Sequence, residues 1–271
     1  MSDNNKIVSR RNALKVIGSS TVASLSLSSP TVGKQDGQNA SSEYKKEKRA
    51  AEQAFSQSLE NNHERHTPSV SQNSGDLGAE GTTDPRADVY VGTDTTLNPD
   101  YGDKYTSDDA SSSQDAVLQA SYNTTDDWIQ ARAYDHAGYG TFRAWSYIAR
   151  EFVAHGSGTA TFTVRPDICG DMGIATEGDN EAFLELTIKD FDANQEWDEY
   201  VFNYSTYVDE WCNDDKVDSK DVSLTDGHGY SATVKLTVGT TFTGDAGGAE
   251  SDFRNKSGDE IVNVGNIDVT F

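Results

Sequence analysis

The chain has 271 residues, 34% of them hydrophobic, and a formal net charge of −23. That charge excludes a nucleic-acid binder that works by neutralising phosphates, and two cysteines are too few for a disulfide-stapled miniature scaffold. The charge is also unevenly placed. Residues 1–85 hold ten basic and ten acidic residues, whereas 86–271 hold 12 basic against 35 acidic.

At the N-terminus, Ser9-Arg10-Arg11-Asn12-Ala13-Leu14-Lys15 precedes a mildly apolar stretch, 16–27, diluted with Ser, Thr and Gly. This order resembles a twin-arginine export signal, with Arg10 and Arg11 as the paired arginines and Ala13 where a bulky apolar residue is preferred. The resemblance implies residues 1–30 as a signal peptide, the twin-arginine machinery as export partner, and an extracellular or cell-surface product that folds before it crosses. The apolar run is far short of the roughly 20 residues of a membrane span, so no stable span is expected after processing.

Residues 31–85 read as a disordered or partly helical linker. Between 43 and 66 the composition is helical, but only Ala51, Phe55 and Leu59 repeat at a spacing of four, a thin apolar stripe that suggests a solvated helix or stalk. His63 and His66 share a helical face, with no third metal ligand beside them in the sequence.

From residue 86 the pattern changes to short β segments separated by Gly, Asn and Asp turns: 89–92, 116–122, 128–134, 141–154, 159–165, 173–176, 182–190, 199–208, 230–238 and 261–271. Ala182, Leu184, Leu186 and Ile188 alternate with Phe183, Glu185, Thr187 and Lys189, giving one apolar face and one wet face. Residues 86–271 therefore read as an acidic, all-β domain, an antiparallel two-sheet sandwich. The long 140–154 strand hairpinned to 159–165, the 186–190 strand running into a turn, and the 251–269 ending resemble jelly-roll sandwiches of archaeal surface proteins and carbohydrate-binding modules. With the export signal, the acidity resembles that of secreted haloarchaeal proteins.

Candidate chemistry is sparse. Cys169 and Cys212, the two cysteines, pair most simply as a disulfide in an exported domain. Asp190, Asp192 and Asn194 space oxygen ligands two apart as a calcium loop does, but Gln195 stands where an EF-hand needs Gly and Val201 where it needs Glu. Calcium at this turn is the one cofactor the sequence suggests; otherwise none is expected. No zinc-protease, phosphate-loop or serine-hydrolase motif is present, so no catalytic residue is assigned. Trp128, Trp145, Trp197 and Trp211 all lie in the acidic half and are candidate sugar-stacking residues.

The function that follows is a non-catalytic surface or glycan-binding sandwich, its partner a surface glycan or an envelope protein. Two alternatives stay open: a secreted hydrolase acting on polysaccharide or protein, and a secreted antagonistic, halocin-like protein or its immunity partner. Repulsion among the 35 acids is cut off within about 3 Å at 1 M salt but reaches about 10 Å at 0.1 M. Circular-dichroism melting temperatures should fall as NaCl drops between those limits; a flat profile would contradict the halophilic reading.

Overall fold

The computed structural model describes residues 36–66, 86–107, 117–135, 140–174, 178–204, 208–213, 216–242, 249–254 and 262–271. The signal-peptide residues, Arg10 and Arg11 included, lie outside the described residues. No helix among those described is long and apolar enough to cross a membrane.

The chain begins with helix α1 (Asp36–His66) and continues as strands. These are β1 (Ala87–Tyr90), β2 (Thr95–Leu97), β3 (Tyr101–Thr106), β4 (Val117–Asn123), β5 (Trp128–Asp135), β6 (Gly140–His155), β7 (Gly158–Val164) and β8 (Asp167–Ile174). After them come β9 (Gly178–Asp190), β10 (Gln195–Tyr204), β11 (Val208–Asn213), β12 (Asp218–Leu224), β13 (Gly229–Phe242), β14 (Ala249–Phe253), β15 (Val262–Asn263) and β16 (Ile267–Thr270).

A central sheet runs β1-β6-β13-β9-β10, with β3 joined to the same edge of β6 as β1. All its pairings are antiparallel except the short β1–β6 contact. The opposing strands form two hydrogen-bonded groups, β11-β8-β14-β5 with β4 and β15, and β12-β7-β16-β2. The chain passes from one group to the other between β7 and β8 through Arg165-Pro166, where proline cannot donate to a ladder. One apolar core joins all three sheets: Ile148, Phe152, Leu184 and Val234 from the central sheet meet Ile129, Phe162, Phe253 and Ile267. The molecule is an antiparallel β-sandwich, with the opposing layer divided in two.

Alternation along β9 places Ala182, Leu184, Leu186 and Ile188 in that core. The other face is not wet: Glu185, Thr187 and Lys189 are buried. Helix α1 lies over this outer face, along the β6 row of Trp145, Tyr147 and Ala149. The thin stripe of Ala51, Phe55 and Leu59 is therefore a docking edge of the sandwich, and α1 is not a free stalk. Three apolar side chains suffice because polar contacts complete the seat. Trp145 Nε1 donates to the Ala51 carbonyl at 3.1 Å, Tyr44 donates to Glu181 at 2.7 Å, and Lys189 meets Glu60 at 2.5 Å.

Two features depart from simple alternation. Tyr200 and Phe202 do not share a face, because a register shift between them turns Phe202 inward against Phe253 and leaves Tyr200 outside. Strand β3 arises from Tyr101–Thr106, a polar Asp- and Gly-containing segment with no clear alternation. Cys169 and Cys212 are direct register partners on antiparallel β8 and β11, a separation that a disulfide spans, and no free cysteine occurs among the described residues.

Phe55 fills the centre of the helix seat, edge-on to Trp145 and Tyr147 at 5.8 and 5.4 Å. Phe55→Ala should cost about 3 kcal/mol, the usual toll of a buried aromatic cavity. Chemical denaturation would measure it; a loss near zero would mean that α1 contributes nothing to the fold.

Candidate functional site

The candidate site is a trough of about 620 Å³ where the edge strand β3 meets β4 of the opposing layer. Lys104, Tyr105 and Thr106 form one wall and Leu118, Gln119, Ala120 and Ser121 the other, with Gln130 of β5 and Arg254 beyond β14 between them. This volume lies in the range of small-ligand sites. The walls come close because of Gly102: a Cβ there would stand 2.4 Å from the Tyr147 carbonyl oxygen and 2.6 Å from the Tyr122 ring. Tyr122, among the more exposed aromatics of the sandwich, thus rests against β3 beside the trough.

The polar lining is held in place. Gln130 Nε2 donates to Ser121 Oγ at 2.7 Å. Arg254 donates through Nη1 to the side-chain amide oxygen Oε1 of Gln119 and, through Nε and Nη2, to both oxygens of Asp252 at 2.9 Å. The Asp252 hydrogen bond, followed by Coulomb attraction, raises the Arg254 pKa against the opposing effect of burial. Tyr105, half-buried, stacks on Trp145 at 5.6 Å with an interplanar angle of 17°. No carboxylate is among the described residues lining the trough.

The tryptophans expected to stack on sugars do not form one platform. Trp145 is 2% exposed beneath α1, its surroundings taken by Phe55, Tyr105 and Tyr147. Trp197 is half-buried on β10 against the main core, and Trp128 is half-buried at the start of β5, across from Asn123 and Asn263. For Trp211 the backbone alone is described, opposite Gly170. Sequence reasoning missed Tyr105, Gln119 and Gln130, since nothing in a polar strand marks which alternate residues meet a second sheet; Gly102 beside Tyr101 was the available signal.

Asp190, Asp192 and Asn194 do lie in the β9–β10 turn. There Asp190 Oδ1 accepts the Ala193 N–H at 2.9 Å, and Asn194 takes the left-handed conformation, φ 50°. The ionisable groups that converge are Asp190, Asp192 and His228. Three of their four carboxylate oxygens carry hydrogen bonds: besides the Ala193 contact, His228 Nδ1 meets Asp190 Oδ2 at 2.9 Å, and Asp192 Oδ2 accepts the Gly229 N–H at 2.7 Å. This is the hydrogen bonding of a structural turn, joined to α1 by His63, which stacks on Phe191 at 3.8 Å. His63 and His66 both approach the buried Glu151 carboxylate, at 3.2 and 3.7 Å. Asp171, Glu250 and Asp252 also converge, with Arg132 on Glu250 and Asp252 and Arg254 on Asp252.

Comparison with known proteins gives no family model that matches and no curated protein that matches. Among solved structures, a family 35 carbohydrate-binding module from Clostridium thermocellum aligns at 12% identity and a TM-score of 0.23, covering 65% of this chain and 97% of its own. The module TmCBM61 in complex with β-1,4-galactotriose aligns at 10% and 0.24, covering 62% and 87%. The enzymatically active domain of bacteriophage CBA120 tailspike protein 4 aligns at 7% and 0.24, covering 61% and 19%. At TM-scores this low the likeness assigns neither ligand nor activity to this chain.

The Asp190–His228 pair predicts a pH dependence. Burial opposes ionisation of Asp190, but hydrogen bonds from the Ala193 N–H, His228 and Tyr230 outweigh it and lower its pKa below 3.8. The Asp190 hydrogen bond raises His228 above 6.5. A lowered acid stabilises the fold above its ordinary value and loses that contribution as pH falls through the depressed one. A raised histidine stabilises below 6.5 and loses it as pH rises through the elevated one. The melting-temperature gap between the natural protein and His228→Ala should therefore be widest between pH 3.8 and 6.5 and narrow on the alkaline side. A gap constant across that alkaline limb would contradict the pairing.

Proposed function

We propose that the chain is an exported, surface-associated and non-catalytic β-sandwich that binds a neutral glycan in the trough between β3 and β4. The observation that carries this reading is the lining itself: the half-buried Tyr105, the amides of Gln119 and Gln130, the Ser121 hydroxyl and two basic side chains around a space of about 620 Å³. Flat rings match the apolar faces of sugars, while amides and hydroxyls match their oxygens.

Under this reading Arg10 and Arg11 direct passage through the twin-arginine machinery to the cell surface. Outside the cell, Cys169 and Cys212, already opposite one another in register, close the disulfide. Apolar stacking and neutral hydrogen bonds suit a protein adapted to molar salt, where recognition through distant charges is screened.

The full chain, incubated in molar NaCl with immobilised neutral oligosaccharides of glucose, xylose and galactose, should be retained without releasing product sugars. Tyr105→Ala should weaken retention about tenfold, the scale of one aromatic contact with its buried area. Absence of retention on every sugar, or accumulation of shortened products, would refute the binding reading.

A further inference from the structure

Strand β3, which carries one wall of the trough, is an edge strand whose sheet partner is β6. An edge strand of six residues with one hydrogen-bonded neighbour is poorly fixed by its ladder alone. Strand β4 touches it through Tyr122 against Gly102, and a further restraint comes from α1, which reaches β3 and its neighbour at three places. Ser58 Oγ donates to Asp103 Oδ2 at 2.5 Å, and the same hydroxyl lies 2.7 Å from Tyr147 Oη. His66 lies tilted against Tyr101 at 5.2 Å. Between these, Phe55 stands edge-on to Trp145 at 5.8 Å and 77°, while the Trp145 indole N–H is held by the Ala51 carbonyl.

Trp145 and Tyr105 are direct cross-strand partners, and their rings are stacked. A continuous row of rings thus runs from the middle of α1 to strand β3, Phe55, Trp145 and Tyr105, while Gly102, Lys104 and Thr106 alternate onto the side of that strand that meets β4. Each ring is fixed by the one before it. Trp145 is 2% exposed and cannot tilt without displacing Phe55, and Tyr105 lies flat on Trp145.

We infer that α1 is a positioning element of the binding site, with Phe55 fixing strand β3, one wall of the trough, through Trp145 and Tyr105. The inference rests on the glycan-binding reading of the trough and adds to it a component 50 residues upstream of Tyr105, inside a segment whose sequence reads as linker. Phe55 is a positioning residue: it does not line the trough, and its effect on ligand passes through another side chain.

The test uses the full chain with three substitutions on α1: Phe55→Ala, Phe55→Leu as the conservative filling, and the exposed Gln53→Ala as control. Two readouts are taken in molar NaCl, hydrogen–deuterium exchange of β3 amides and retention on the neutral oligosaccharides above. In Phe55→Ala the β3 amides should exchange about tenfold faster relative to those of β16 on the opposing layer, the scale of a coupling between contacting residues, β16 recording only the global loss of stability. Retention should weaken by a similar factor, Phe55→Leu should recover most of it, and Gln53→Ala should change neither readout. Introduced into Tyr105→Leu, Phe55→Ala should cost no further affinity. Exchange of β3 unchanged relative to β16 in Phe55→Ala, or full retention despite faster exchange, would overturn the inference. If the natural protein binds none of the sugars, the glycan reading fails instead, and the exchange of β3 still decides whether α1 fixes that strand.

Discussion

The ammonium group of Lys235, on the outer face of the central sheet, lies 3.7 Å from the centre of the Phe55 ring and 2.8 Å from Glu185 Oε2. That arrangement is the constraint on which the helix seat turns. A lysine nine-tenths buried must keep a counter-charge and a polarisable neighbour, or it loses more in hydration than it gains. Glu185 supplies the first from β9, and Phe55 supplies the second from α1. Around it the same solution recurs: Arg143 pairs with Glu181 and lies over the Tyr44 ring, Lys189 pairs with Glu60 and lies over Phe191, and Glu151 receives His63. Removing one partner from such a set leaves an uncompensated charge, so the pairs specify where α1 lies even where they add little net stability.

The inner face of the sandwich was legible because it follows a period of two. Residues 182, 184, 186 and 188, and 232, 234, 236 and 238, enter the core as their alternation requires. The opposite faces were not legible. Glu185, Thr187 and Lys189 have the composition of a solvated surface, and a local pattern cannot reveal that a helix more than 120 residues upstream covers them. For the same reason the stripe of Ala51, Phe55 and Leu59 looked too narrow to dock: its polar complement, Ser58, Glu60, Asn62 and His63, acquires meaning only from Asp103, Lys189, Tyr147 and Glu151. Tyr105 was hidden for another reason, since its strand is flanked by Asn98-Pro99-Asp100 and Ser107-Asp108-Asp109, which read as turn and acidic loop.

Tryptophan content proved a poor guide to the site. The indole most deeply placed, Trp145, is spent on structure, its N–H closed by a helix carbonyl and its ring wedged between Phe55 and Tyr105. Large aromatic rings gain most by burial, so in a chain with 34% hydrophobic residues the fold claims them first. Tyrosine, whose hydroxyl tolerates partial exposure, is left for the surface: among the described residues the exposed aromatic side chains are Tyr90, Tyr122 and Tyr200, with Phe271 beside them.

Charge separates the trough from the rest of the molecule. The body has 35 acids against 12 bases, yet no carboxylate is among the described residues lining the trough, while Lys104 and Arg254 are. The nearest acid cluster, Asp171, Glu250 and Asp252, is drawn back and answered by Arg132 and Arg254. Arg254 therefore serves two purposes at once. One edge of its guanidinium compensates a buried aspartate, and the other fixes the Gln119 amide, so the fork geometry that a lysine lacks ties charge balance in the core of the opposing layer to the polar wall of the site.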